Sequence, residues 1–190
     1  KEVPAEMEII SLSGIEKPGP LTTRQMDDGL KAASMLVGGA SILFTRWARD
    51  FKKHTNRLPM FDPDKSKAAG GDDTIIYYHS YWKLEPDEAL LIEVRPPDCD
   101  AWNFQLNNFW MESLDYRYHN ICINKHSARY EADGKVRVVV ARADPGLPNW
   151  IETADHSEGT MCWRWYRIHP GSEAIEPTCS VVKISALNPA

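Results

Sequence analysis

The sequence predicts a mainly β protein, an antiparallel sandwich or jelly roll, carried behind an N-terminal helical segment. Three observations predict it. Apolar residues between Met26 and Phe51 recur at helical spacing, a period of two takes over from Thr74, and turn-forming residues separate the later apolar runs. Some seven short strands with no helix between them must bury their apolar faces against one another. The chain therefore divides into residues 1–59, a linker and amphipathic helical segment, and residues 60–190, the β domain.

Residues 1–21 are punctuated by Pro and Gly, with Met7 to Leu12 reading as a leading strand or linker and Lys17-Pro18-Gly19-Pro20 as a turn. Thr22-Thr23-Arg24-Gln25 has capping-box spacing: a Thr hydroxyl accepts from an orphan N–H of the first turn and Gln25 reaches back. Met26, Leu30 and Ala33 follow, and beyond Gly38-Gly39 the spacing continues through Leu43, Trp47 and Phe51. This is one amphipathic helix, or two broken near the glycines, ended by Asn56 and Pro59. Arg46, Arg49, Lys52 and Lys53 lie towards its C-terminal end, where cations complement the helix dipole. Residues 60–73 read as a polar loop.

Strands are expected over 74–82, 89–95, 102–110, 120–124, 135–142, 160–167 and 179–185. Glu85-Pro86-Asp87, Pro96-Pro97, Asp133-Gly134 and Asp144-Pro145-Gly146 punctuate them. Asp133-Gly134 ahead of Val136 to Val140 carries a hairpin signature.

Of the 190 residues 43% are hydrophobic and seven are tryptophan, which is ample for a core and argues against disorder. A net charge of -5 with scattered basic residues leaves no footprint for nucleic acid, which needs clustered Lys and Arg. The longest apolar stretch, Ala32 to Phe44, falls short of the ~20 residues that span a bilayer, and no signal peptide is visible. The expectation is a soluble protein of undecided compartment. Cys99, Cys122, Cys162 and Cys179 stand far apart without a CxxC pair, so zinc-ribbon chemistry is not expected. Free thiols and disulfides both fit.

The run Trp102-Asn103-Phe104-Gln105-Leu106-Asn107 alternates strictly. Trp102, Phe104 and Leu106 want a core, while Asn103, Gln105 and Asn107 put neutral donors and acceptors on the other face. That face is either solvated and internally bonded or the wall of a polar groove.

Several motifs occur in a fixed order: Gly70-Gly71-Asp72, Pro86-Asp87-Glu88-Ala89-Leu90, Trp102 to Leu106, Glu112-Ser113-Leu114-Asp115-Tyr116-Arg117, and Asp144-Pro145-Gly146-Leu147-Pro148-Asn149-Trp150. Gly159-Thr160 and Trp163-Arg164-Trp165 follow. From about Thr22 to Arg167 this order resembles the C-terminal half of an uncharacterised family, domain of unknown function 1214. The resemblance implies an antiparallel β-sandwich of jelly-roll type, in a family whose members commonly carry a further N-terminal region. It implies no reaction, cofactor or catalytic residue.

Candidate chemistry comes from four places. Asp155 and His156 share a polar loop, where a carboxylate can orient an imidazole as a general base, or each can serve the loop itself. Asp115 and Arg117 alternate if the amide strand continues, which would make them a buried ion pair or part of a site. Arg164, between Trp163 and Trp165, faces away from the core. It supplies either a cation for a carboxylate or sulfate in the groove, or a salt bridge to Glu93 or Asp115. Trp110 and Trp150, at expected loop edges, are the tryptophans best placed to stack on a ligand.

His79, His119, His126 and His156 come from separate segments and show no ligand spacing, so no metal or other cofactor is expected. Gly-x-Ser-x-Gly is absent around Ser113, leaving a hydrolase of that type unsupported.

The leading functional expectation is recognition of a small polar molecule or glycan by Asn103, Gln105, Asn107, Trp110, Asp115, Arg117, Trp150 and Arg164. A hydrolase-type enzyme using Asp155 and His156 is the second. An accessory or assembly role is the third, because Met26, Leu30, Leu43, Trp47 and Phe51 must bury against something, a second copy or a partner protein.

Overall fold

The computed structural model describes residues 6–10, 12 and 19–187, which fall into two compact units, residues 1–40 and 41–190. No strand forms at the described positions of the run Met7 to Leu12, and Lys17 and Pro18 of the expected turn lie outside the described residues. Helix α1, Thr23–Phe51, begins in the first unit and ends in the second. Its capping box is formed as expected: the Gln25 backbone N–H donates to Thr22 Oγ1 at 3.3 Å, and the Thr22 N–H donates to Gln25 Oε1 at 2.9 Å. The helix runs unbroken through Gly38-Gly39, whose propensity cost of ~1 kcal/mol each is offset by Ala, Met and Leu ahead of them and Ala and Leu behind.

In the second unit α1 tightens into a 3-10 turn at Lys52–His54, and Asn56 leaves it with a positive φ of 59°. The expected polar loop contains a short helix α2, Pro63–Ala68, capped by Asp62 Oδ1 accepting from the Asp64 and Lys65 N–H groups. Among the described residues eight strands follow: β1 Ile75–Lys83, β2 Glu88–Val94, β3 Cys99–Leu106, β4 Cys122–Asn124, β5 Val136–Ala141, β6 Trp150–Glu152, β7 Glu158–Ile168 and β8 Thr178–Lys183. They form two four-stranded sheets, ordered β1-β7-β3-β4 and β6-β5-β2-β8. Mostly strands with an N-terminal helix is therefore what the sequence predicted and what forms.

The core joins the inward faces of both sheets: Tyr78, Trp102, Phe104, Trp163 and Trp165 from the first, Leu90, Ile92, Val138, Val140 and Ile151 from the second. Trp102, Trp163 and Trp165 are fully buried as their periodicity demanded, with the Trp102 and Trp163 rings stacked at 4.9 Å. Burying an aromatic side chain is worth about 2–3 kcal/mol each in transferred area, so this cluster anchors the unit.

Three strand expectations need correction. The second sheet is mixed, because β6 runs parallel to β5. Asn149 explains the direction: its side-chain amide donates to the Arg129 and Arg137 carbonyls, and its own carbonyl accepts from Val139 N–H. The return loop is thereby pinned beside the middle of β5. Three residues are too few to show alternation, so β6 was invisible to periodicity. The amide strand stops at Leu106 rather than Trp110, since Asn108 Oδ1 accepts from the Trp110 and Glu112 N–H groups and closes a turn. Asp133-Gly134 does turn the chain, with the Gly134 N–H on the Glu131 carbonyl, but no strand precedes it.

Candidate functional site

The pleat of the first sheet decides which side chains meet outside the core. Register pairs Tyr77 with Arg164, His79 with Cys162, Asn103 with Arg164, and Gln105 with Cys162. All six therefore share the face opposite the tryptophans. Arg164 is the only arginine or lysine of this set, and no carboxylate is among them.

Arg164 is half-buried, its guanidinium 3.3 Å from Asn103 Oδ1 and 5.9 Å from the Tyr77 ring centroid. The salt bridges considered for it are not formed. Glu93 is taken by Arg137 at 2.8 Å and Asp115 by Arg117 at 3.1 Å. Among the described residues no carboxylate lies within 4.0 Å of Arg164. The cation is thus held by a neutral amide and a ring face.

The three amides divide. Asn107 is buried and internal: its side-chain oxygen accepts from Gln105 Nε2 at 2.6 Å, its N–H donates to the Thr160 carbonyl, and its carbonyl accepts from Trp82 Nε1. Asn103 and Gln105 are half-buried. The Asn103 amide N–H groups and Gln105 Oε1 make no bond among the described residues. These atoms and the guanidinium form a neutral-plus-cationic surface that fits an anion with hydroxyl neighbours.

His79 lies on this face and is considered from the sequence only as a metal ligand. Its ring lies between Phe51 at 5.3 Å and Tyr77 at 5.4 Å, nearly parallel to both, with Phe61 edge-on. Burial, and secondarily the charge of Arg164, lowers its pKa to about 4, so the imidazole is neutral at pH 7. Cys162 Sγ is 3.9 Å from His79 Nε2, yet burial pushes the thiol up to about 12 against the opposing pull of Arg164. A protonated thiol beside a neutral imidazole is no activated nucleophile.

His79 also reaches a cavity of about 860 Å³ between the end of α1, the following loop and α2, lined by Trp47, Phe51, Met60 and Phe61 among others. Sequence spacing put Trp47 and Phe51 on one helix face; it did not say what that face meets.

The remaining candidates lie elsewhere. Asp155 is exposed with a φ of 63°, and its carboxylate engages Arg142 at 2.9 Å; His156, exposed, gives its backbone N–H to the Thr153 carbonyl. The structure brings Asp155 to Arg142 and shows no bond from Asp155 to His156. Asp115 and Arg117 do pair, but across an exposed turn rather than on a buried strand, because the chain leaves the sheet after Asn107. Trp110 is 52% exposed at a turn. Trp150 opens β6, half-buried, with its indole N–H on the Ala141 carbonyl. His119 Nδ1 meets Glu152 Oε1 at 2.9 Å, and His126 is exposed. Among the described residues no group of three or more His, Cys, Asp or Glu is placed to hold a metal ion. The four cysteines are free thiols. No helix among the described residues is long and apolar enough to cross a membrane.

No family model matches the chain, and no curated protein matches it. The crystal structure of an uncharacterised protein from Burkholderia cenocepacia aligns with 92% of the chain at 48% identity, with a TM-score of 0.87. The aligned part is 48% of that protein, so the chain spans about half of its length. A second solved structure, from Vibrio parahaemolyticus, is 14% identical over 87% of the chain and 47% of its own, with a TM-score of 0.49. The architecture described above is thus similar to that of an uncharacterised protein at substantial identity.

Proposed function

We propose that the two sheets form a sandwich of jelly-roll type and that its first sheet binds a small polar molecule carrying a carboxylate, such as an acidic sugar. Strands distant in sequence pair within each sheet, β7 between β1 and β3 and β2 between β5 and β8, which supports the jelly-roll reading. The assignment to domain of unknown function 1214 rests on motif order. One observation carries the binding site: a half-buried guanidinium with no carboxylate partner among the described residues, set among amides with free hydrogen-bonding capacity. Such a cation favours an anion over water when the geometry is bidentate. Arg164 supplies the charge, Asn103 and Gln105 the hydroxyl contacts, and Tyr77 a ring face.

Calorimetric titration with glucuronate and with glucose tests this. Glucuronate should bind saturably and glucose at least ten-fold more weakly. Arg164→Gln should cost about 1.5–3 kcal/mol, or ~10–150-fold in affinity, as expected for a lost charged hydrogen bond. Equal binding of both sugars by both proteins would refute the assignment.

A second reading concerns α1. Leu30 is 60% exposed, Leu36 72% and Val37 68%. An apolar helix face of this kind packs on another polypeptide surface. Sedimentation velocity should show concentration-dependent association of the chain that is lost in Leu30→Glu/Val37→Glu; a monomer in both cases would exclude a second copy as the partner.

A further inference from the structure

The cavity of about 860 Å³ lies within the range of small-molecule sites, and its walls differ in kind from the Arg164 face. Trp47, Phe51, Met60 and Phe61 supply apolar and aromatic surface. Its charges sum to zero: Asp50 is bonded to Lys53 at 2.6 Å, and Asp62, turned to the N–H groups of α2, is offset by Lys65. His79 gives the wall a polar point. Its one side-chain polar contact among the described residues is weak, 3.9 Å to the Cys162 thiol, and the rings of Phe51 and Tyr77 fix its plane. An imidazole clamped between two rings and neutral at pH 7 offers the nitrogen away from that thiol, Nδ1, as a donor or acceptor in a fixed direction.

We propose that this cavity is a second ligand site, taking an uncharged, flat, ring-bearing molecule whose single polar group meets His79. The lining carries two carboxylates and two lysines, so an ionised ligand meets no net opposite charge to offset the hydration it would lose against the aromatic wall. Trp47 and Phe61 in the lining give a flat ring aromatic contacts that add to area burial. The site goes beyond the Arg164 face and does not depend on it, although the row Phe51, His79, Tyr77, Arg164 makes the two neighbours.

The test uses N-phenyl-1-naphthylamine, a neutral flat fluorophore, with the substitution Ala68→Trp. Ala68 is exposed and lines the cavity, so a larger side chain there fills space without removing a packing contact. The wild type should bind one equivalent saturably with enhanced fluorescence. Neutral indole should displace the probe, and indole-3-acetate should displace it at least ten-fold less well. Ala68→Trp should weaken the probe at least ten-fold with an unchanged thermal midpoint and unchanged glucuronate binding. Arg164→Gln should leave the probe untouched, which separates the two sites.

Absence of saturable binding to the wild type would overturn the proposal, as would undiminished binding to a folded Ala68→Trp variant. So would displacement by the acid as strong as by the neutral ring. A wild-type dimer that Ala68→Trp dissociates would assign the cavity to a protein contact instead.

Discussion

Arg164 and His79 sit two register positions apart on adjacent strands, yet the fold treats them oppositely. The guanidinium cannot lose its charge, so the sheet keeps it half-exposed against an amide. The imidazole can, and burial between Phe51 and Tyr77 makes it do so, with its pKa lowered to about 4 from 6.5. The folded protein therefore binds fewer protons at His79 than the unfolded chain does. Its contribution to stability is complete above about pH 6.5 and is lost as the pH falls towards 4, to a limit of about 3 kcal/mol. The surrounding titratable or charged groups are Arg164, Cys162 and Tyr77 on the sheet, with Asp50, Lys53, His54, Asp62 and Lys65 around the cavity.

Urea midpoints at pH 7.5 and pH 4.5 should diverge more for the wild type than for His79→Gln, which has nothing to protonate there. Equal divergence would mean that the carboxylates, not His79, set the acid sensitivity. At this scale the tryptophans were legible in the sequence, because a period of two states which face is buried. The state of His79 was not legible. Phe51 and Phe61 impose it from segments more than fifteen residues away in the chain.

At the scale of elements, local chemistry was readable where both partners are near in sequence. The Thr22/Gln25 capping box is of that kind, and so is the cation-rich end of α1, where Lys53 bonds Asp50. Elements fixed by distant contacts were not: β6 depends on Asn149 reaching the Arg129 and Arg137 carbonyls. Two glycines show the same contrast. A Cβ on Gly38 would meet nothing within 4 Å, whereas one on Gly159 would strike the Asn107 carbonyl where β7 passes the end of β3. Gly38→Ala should therefore raise stability by about 0.5–1 kcal/mol, read as helical far-UV signal retained to higher temperature. Gly159→Ala should cost about 1–3 kcal/mol by overpacking. Closely similar melting curves for the two variants would contradict the described packing. The motif Gly159-Thr160 acquires a physical reason here: the strands approach so closely that only glycine fits.

For the molecule as a whole, the mostly-β architecture and the helix ahead of it were readable from the switch in period, since each element's apolar spacing is local. How the strands sort into two sheets was not, because register is a long-range property. The candidate site was legible in part. Alternation put Asn103 and Gln105 on one face of their strand and Arg164 on the non-tryptophan face of its own, and only the register brings the three together. Asn107 belongs to that face yet is consumed internally. The cavity was illegible, assembled as it is from α1, the loop after it, α2 and β1.

Whether the Arg164 face recognises a carboxylate is most directly tested on ¹⁵N-labelled protein by titrating glucuronate and glucose in parallel. Glucuronate should shift the Asn103 and Gln105 side-chain amide signals and the Arg164 Nε signal, saturating together, while glucose leaves them in place. No movement at these three residues, or equal movement with both sugars, would contradict the account.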